Sequence, residues 1–184
     1  CALAITPAEG RAYLEQAFQL FNERGDDTGA LMTWIGIVDA LIFGFEDLKP
    51  LDRWIDWLDE RVVRDASFPS PEIESDVASV MVMALMWRRP DRIVMDRWIS
   101  RALSSSRISR DSSVRLLVLR RALNYYTWVG DKDSCVTLLD ELARIPESYQ
   151  AHPVHLIGDK IIKANYYAWI GDESERAIKL VEEG

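Results

Sequence analysis

Cysteine is scarce in this 184-residue chain, which holds only Cys1 and Cys135. Two cysteines cannot build a disulfide-stapled fold, and their scarcity points to a reducing, cytoplasmic setting. Histidine is as rare, occurring at His152 and His155. No cysteine or acidic cluster stands at ligand spacing from that pair, so they read as capping and surface residues rather than a metal site. The nine glycines are scattered, which leaves no glycine-rich phosphate loop. A Gly-x-Ser-x-Gly elbow is missing too, and no acid–base pair recurs at workable spacing. The expectation is therefore no catalytic residue, no metal and no cofactor. Long apolar runs are also lacking. The longest, Val80 to Trp87, is far shorter than the roughly 20 residues of a membrane-spanning helix. Basic residues are outnumbered, 22 against 30, for a net charge of −8. So acidic a chain is a poor candidate for gripping a phosphate backbone, and direct nucleic-acid binding is not expected. The short basic clusters, Arg88-Arg89 and Arg115 with Arg120 and Arg121, read as ion-paired faces. The chain starts at Cys1 rather than Met, with nothing before Pro7 resembling a signal peptide. It reads as a piece of a larger protein; a lipid-bearing terminal cysteine and an ordinary trimmed start are the rival readings.

What is present is abundant apolar material, 48% of residues, in helical rhythm. Thr6-Pro7-Ala8-Glu9 combines a hydroxyl N-cap, a first-turn proline and a capping-box glutamate. From there Tyr13, Leu14, Ala17, Phe18 and Phe21 recur at three- and four-residue steps, predicting a helix over 7–24. A second helix, over 28–44, is apolar almost all round and should be buried. Lys49-Pro50 opens a third, and Ser70-Pro71 caps a fourth that runs to about Arg88. A fifth follows Pro90-Asp91 and is expected to end at Ser104-Ser105-Ser106. The sixth covers about 111–129, the seventh 132–144, the eighth runs from Pro153 to Gly171, and the ninth covers 173–183. No segment alternates as a strand would. The reading is all-α, about nine helices in a single domain spanning 1–184.

The helices repeat. Asn124-Tyr125-Tyr126-Thr127-Trp128-Val129-Gly130-Asp131 returns 41 residues later as Asn165-Tyr166-Tyr167-Ala168-Trp169-Ile170-Gly171-Asp172. The same step backward from Trp128 lands on Trp87. Asp52-Arg53-Trp54-Ile55 returns 44 residues on as Asp96-Arg97-Trp98-Ile99. Two registers thus give one unit of two antiparallel helices, the signature of an α-solenoid.

A helix ending in Tyr-Tyr-x-x-x-Gly-Asp and followed by a second helix resembles the tetratricopeptide repeat. Tyr126 and Tyr167 match its packing tyrosine, and Ala164 its small contact residue. The unit is longer than the family's, Leu123 replaces the small residue, Ala177 falls one position late, and the closing proline is only partly kept, at Pro146. Longer repeats of this kind are similar to the helical-repeat region of bacterial ATP-dependent transcriptional regulators of the maltose-activator (MalT) type. Leu20-Phe21-x-x-Arg24-Gly25-Asp26 and the helix after it resemble such regions. The resemblance implies a right-handed superhelix, with the even-numbered helices forming one layer. It also implies a non-catalytic module of a bacterial signalling protein, whose concave groove docks a protein segment or a small inducer. ATP hydrolysis and DNA binding would then belong to other parts of that protein. A structural spacer or self-association module is the alternative.

In the family the first helix of each pair lines the groove, which maps Asn124 and Asn165 onto groove-facing positions. Arg120 lies one turn earlier, and Trp128 and Trp169 one turn later. Those two tryptophans also sit at packing registers, and both readings stay open. Stepping back through the repeat adds Met83 and Asp39. Asp39, mid-helix in an apolar segment, must either face the groove or pair with a cation, because burying a lone carboxylate costs several kcal/mol. Asparagine offers donors and an acceptor to an extended backbone, and arginine can fork onto a carboxylate. At the far end, the apolar face of Ala177, Ile178, Leu180 and Val181 is expected to be partly exposed, and self-association through it is possible.

Overall fold

A computed structural model describes residues 7–44, 47–109, 111–145 and 153–182. Cys1, Thr6, Pro146, His152 and the His155 side chain, which figure in the expectations above, lie outside the described residues. Nine helices and no strand occur among those described. They are α1 (Pro7–Glu23), α2 (Asp27–Phe43), α3 (Leu51–Arg64), α4 (Pro71–Arg88), α5 (Arg92–Ile108), α6 (Ser112–Val129), α7 (Lys132–Ala143), α8 (Pro153–Trp169) and α9 (Ser174–Glu182). The chain forms two compact units, one ending at Ile108 and one starting at Ser109.

In the first unit, α1 lies against α2, α2 also packs on α4, and α4 on α5. Glycine permits the first contact. A Cβ at Gly29 would stand 2.4 Å from the Phe21 ring, and one at Gly36 would stand 3.1 Å from Leu14. A larger residue at Gly29 would have to displace the Phe21 ring. The predicted burial of α2 is met, since Leu31, Trp34, Ile37 and Val38 are fully enclosed. Trp34 also donates its Nε1–H to the Trp54 carbonyl at 2.9 Å, tying α2 to α3. The Asp52 phrase opens α3, while the Asp96 phrase starts at the fifth residue of α5. Trp54 and Trp98 are both buried, as are Ile55 and Ile99 after them.

Charge secures the connector between α3 and α4. Arg61, itself buried, holds the Asp27 carboxylate with two hydrogen bonds and donates to the Asp65 and Ser67 carbonyls. Phe68 lies between the Arg61 and Arg101 guanidinium groups, 4.7 and 4.6 Å from its ring centre. Arg101 in turn pairs with Glu74, which accepts from the Ser105 hydroxyl. That last bond corrects the expected end of α5. Ser104 and Ser106 donate to carbonyls of Ser100 and Leu103, Ser105 reaches Glu74, and the helix continues through all three to Ile108.

The second unit contains the duplicated phrase. Here α6 pairs with α7, α8 with α9, and α6 also contacts α8. The two tyrosine pairs pack alike, with ring centres 5.1 Å apart in each. The helix ends differ by one residue. Gly130 takes the left-handed conformation at φ 80°, and Asp131 then caps α7 by accepting from Ser134 N–H at 3.1 Å. In the copy the left-handed residue is Asp172, at φ 55°. Gly171 is instead crowded, because a Cβ there would stand 3.1 Å from the Tyr167 backbone. Helix α9 consequently starts one residue late, which accounts for the displaced Ala177.

Candidate functional site

The seven residues picked from sequence divide between the units. Asp39 on α2 and Met83 on α4 fall in the first; Arg120, Asn124, Trp128, Asn165 and Trp169 fall in the second. Asp39 is half-buried, while its neighbours Val38 and Ala40 are enclosed. Met83 is half-buried as well, whereas Met81 is fully enclosed and Trp87, one turn beyond Met83, is 55% exposed.

Arg120, Asn124 and Trp128 follow at i, i+4 and i+8, so they form one stripe along α6. The stripe runs from interior to surface. Arg120 is 4% exposed, Asn124 is half-buried, and Trp128 is 46% exposed. Arg120 therefore does not present its guanidinium on the surface as a fork for a partner's carboxylate. Its counterpart 41 residues on is Ile161, and the α8 stripe is more open at both ends, at Ile161 and Trp169, with Asn165 half-buried like Asn124. Asn165 lines a shallow recess of about 290 Å³ with Ala164, Ala168, Ile178 and Val181. The expected exposure on α9 is present: Ile178 and Val181 stand out in water, while Ala177 is buried.

For the two tryptophans the packing reading does not hold. Neither is core, and both stand in solvent at the last turn of their helices. Sequence reasoning missed how general this is. Every even-numbered helix ends in an exposed aromatic: Phe43 on α2, Trp87 on α4, Trp128 on α6 and Trp169 on α8. The signal was available, because the 41-residue step already joined Trp87 to Trp128. Single exposed apolar residues are ordinary, but the same position exposed in four helices is a pattern. By contrast Trp34, Trp54 and Trp98 are buried, as their packing registers required.

The remaining chemistry is quiet. Cys135 is fully buried on α7, 3.7 Å from the Thr127 hydroxyl, and burial pushes its thiol above the ordinary value. A thiol in that state is a poor nucleophile. No group of three or more potential metal ligands occurs among the described residues. None of the described helices is long and apolar enough to cross a membrane. Three arginines of the basic clusters are ion-paired: Arg88 with Asp52, Arg89 with Asp56 and Arg115 with Glu141. Comparison with known protein families, characterised proteins and solved structures finds no match to this chain.

Proposed function

We propose that this chain is a non-catalytic binding module, a tetratricopeptide-like α-solenoid of antiparallel helix pairs that docks a protein segment or a small inducer. It would serve within a bacterial, cytoplasmic signalling or transcriptional regulator of the kind its repeats resemble. The observation that carries the reading is the recurring exposed aromatic at the end of each even-numbered helix. A spacer has no use for tryptophan in water, since burying such a ring would stabilise the fold by about 2–3 kcal/mol. A recognition surface does, because aromatic rings supply large contact area at low conformational cost. Asn124 and Asn165, one turn inward from Trp128 and Trp169, add hydrogen-bonding capacity beside the rings.

The test is selection of binders from a random peptide display library on the wild-type chain, with counter-selection on Trp128→Ala/Trp169→Ala. The reading expects enriched peptides that bind the wild-type chain and lose at least most of their affinity for the double variant. A selection that enriches nothing, or only peptides indifferent to both tryptophans, favours the spacer.

A further inference from the structure

In the first unit a cleft of about 210 Å³ opens between α1 and α3, lined by Glu15, Phe18, Gln19, Arg53, Trp54 and Trp57. Phe18 is edge-on to both indoles, with ring centres 4.9 Å apart in each pair, and Phe18 and Trp54 are buried. Three aromatic rings held against one another make a wall for a flat apolar body. The charges beside this wall do not balance. Glu15 Oε1 accepts from Arg53 Nη2 at 2.6 Å and lies 3.7 Å from Arg11 Nε. Two guanidinium groups on one carboxylate leave positive charge in excess. The acids of α3 nearest Arg53 in sequence do not cancel it, because Asp52 pairs with Arg88 and Asp56 with Arg89.

Donors are in excess as well. A guanidinium offers five N–H groups, and that of Arg53 gives one hydrogen bond among the described residues while its side chain is 57% exposed. It is held at the cleft by lying over the Trp54 ring, 4.7 Å from the ring centre. Trp54 itself has an enclosed indole N–H with no hydrogen-bond partner, and buried donors rarely stay unmatched. What the cleft lacks is an acceptor with negative charge. We propose that it binds a small aromatic carboxylate, the ring against the Trp57 indole and the carboxylate on the Arg53 guanidinium, which matches it as a fork. The room suits one ring system, since pockets for larger ligands run to roughly 300–1,000 Å³. The net charge of −8 does not forbid an anion here, because at physiological salt charges beyond about 8 Å are largely screened. The inference rests on the reading of the chain as a binding module and names a class of small inducer for it. It shares no residue with Trp128 or Trp169, so the titration below and the peptide selection above can fail separately.

The experiment titrates 2-naphthoate into ¹⁵N-labelled protein and follows the Trp54 and Trp57 indole N–H signals. Three further probes are run on the same protein: 2-naphthamide, which keeps the ring without the charge, acetate, which keeps the charge without the ring, and 2-naphthylmethylammonium, which reverses the charge. The expected result is saturable shifts of both signals with 2-naphthoate, and affinity roughly tenfold lower for each of the other three. Arg53→Gln, a change at an exposed side chain, should weaken 2-naphthoate roughly tenfold and leave 2-naphthamide unaltered. The proposal is overturned if 2-naphthoate gives no saturable shift, or if any of the other three probes binds the wild-type chain as tightly. It is also overturned if 2-naphthoate binds Arg53→Gln as tightly as wild type. The comparison of probes needs only the wild-type chain, so it decides even where the variant melts early.

Discussion

The hairpins α6–α7 and α8–α9 carry nearly the same eight-residue phrase, yet they live in different surroundings. Leu116 and Arg120 on α6 are 2% and 4% exposed, while Ile157 and Ile161, 41 residues on, are 49% and 52% exposed. Tyr125 and Tyr166, by contrast, are buried in both copies. The phrase therefore specifies how each hairpin closes on itself, and neighbours decide what happens to the outer face. Where the two copies agree, as in the tyrosine pair, the residue serves the hairpin. Where both are exposed despite the change of surroundings, as at Trp128 and Trp169, packing offers no reason for the residue.

The comparison breaks most sharply at the outer face. Leu116→Ala should cost roughly 2–5 kcal/mol, the range for emptying a core position. Ile157→Ala, at the same repeat position, should cost under about 1 kcal/mol because its side chain is already half in water. Denaturant titration of each variant measures both, and equal losses would contradict the assignment of one face as covered and one as open.

A second test concerns pH. Burial raises the Tyr166 hydroxyl above the ordinary tyrosine range. A group whose folded pKa is raised contributes stability that is complete below its unfolded value, about 10, and lost as pH rises through the folded value. Thermal melts from neutral to strongly alkaline pH should therefore show a decline that Tyr166→Phe partly removes. An alkaline limb unchanged in that variant would show that this hydroxyl ionises as freely as in the unfolded chain.

Smaller effects of opposite sign are expected at the helix ends. Asp172→Gly should stabilise the chain by roughly 0.5–1 kcal/mol, because glycine carries no penalty at positive φ. Asp131→Gly should destabilise by a few tenths of a kcal/mol, since Asp131 caps α7. Thiol chemistry gives the smallest signal. Cys135 should react with a maleimide far more slowly in the native protein than after unfolding, followed residue by residue by mass spectrometry. Rapid native labelling there would contradict its burial.

Much of the fold was legible because helix boundaries are local. Pro7, Ser70-Pro71, Gly25 and Gly130 announce starts and stops within a few residues, and the bounds of α1, α4 and α6 lie where these signals put them. The serine run of α5 misled because Ser104 and Ser106 donate to carbonyls of their own helix without ending it, and Glu74, far away in sequence, engages Ser105. The Arg61–Phe68–Arg101 arrangement was invisible for the same reason, as it joins residues that only folding brings together. The candidate site was half legible. Periodicity located Asn124, Trp128 and their copies, but burial of Arg120 depends on neighbours that a single helix pattern does not encode.

The central claim is that the exposed aromatic positions serve recognition rather than folding, and one paired measurement tests it most directly. The melting temperature and the affinity for a display-selected peptide are determined on wild type, Trp128→Ala/Trp169→Ala and Asn124→Ala/Asn165→Ala. The account predicts melting temperatures within a few degrees of wild type for both double variants, together with loss of peptide binding. Melting temperatures that fall by many degrees, or peptide affinity that survives both double substitutions, would contradict it.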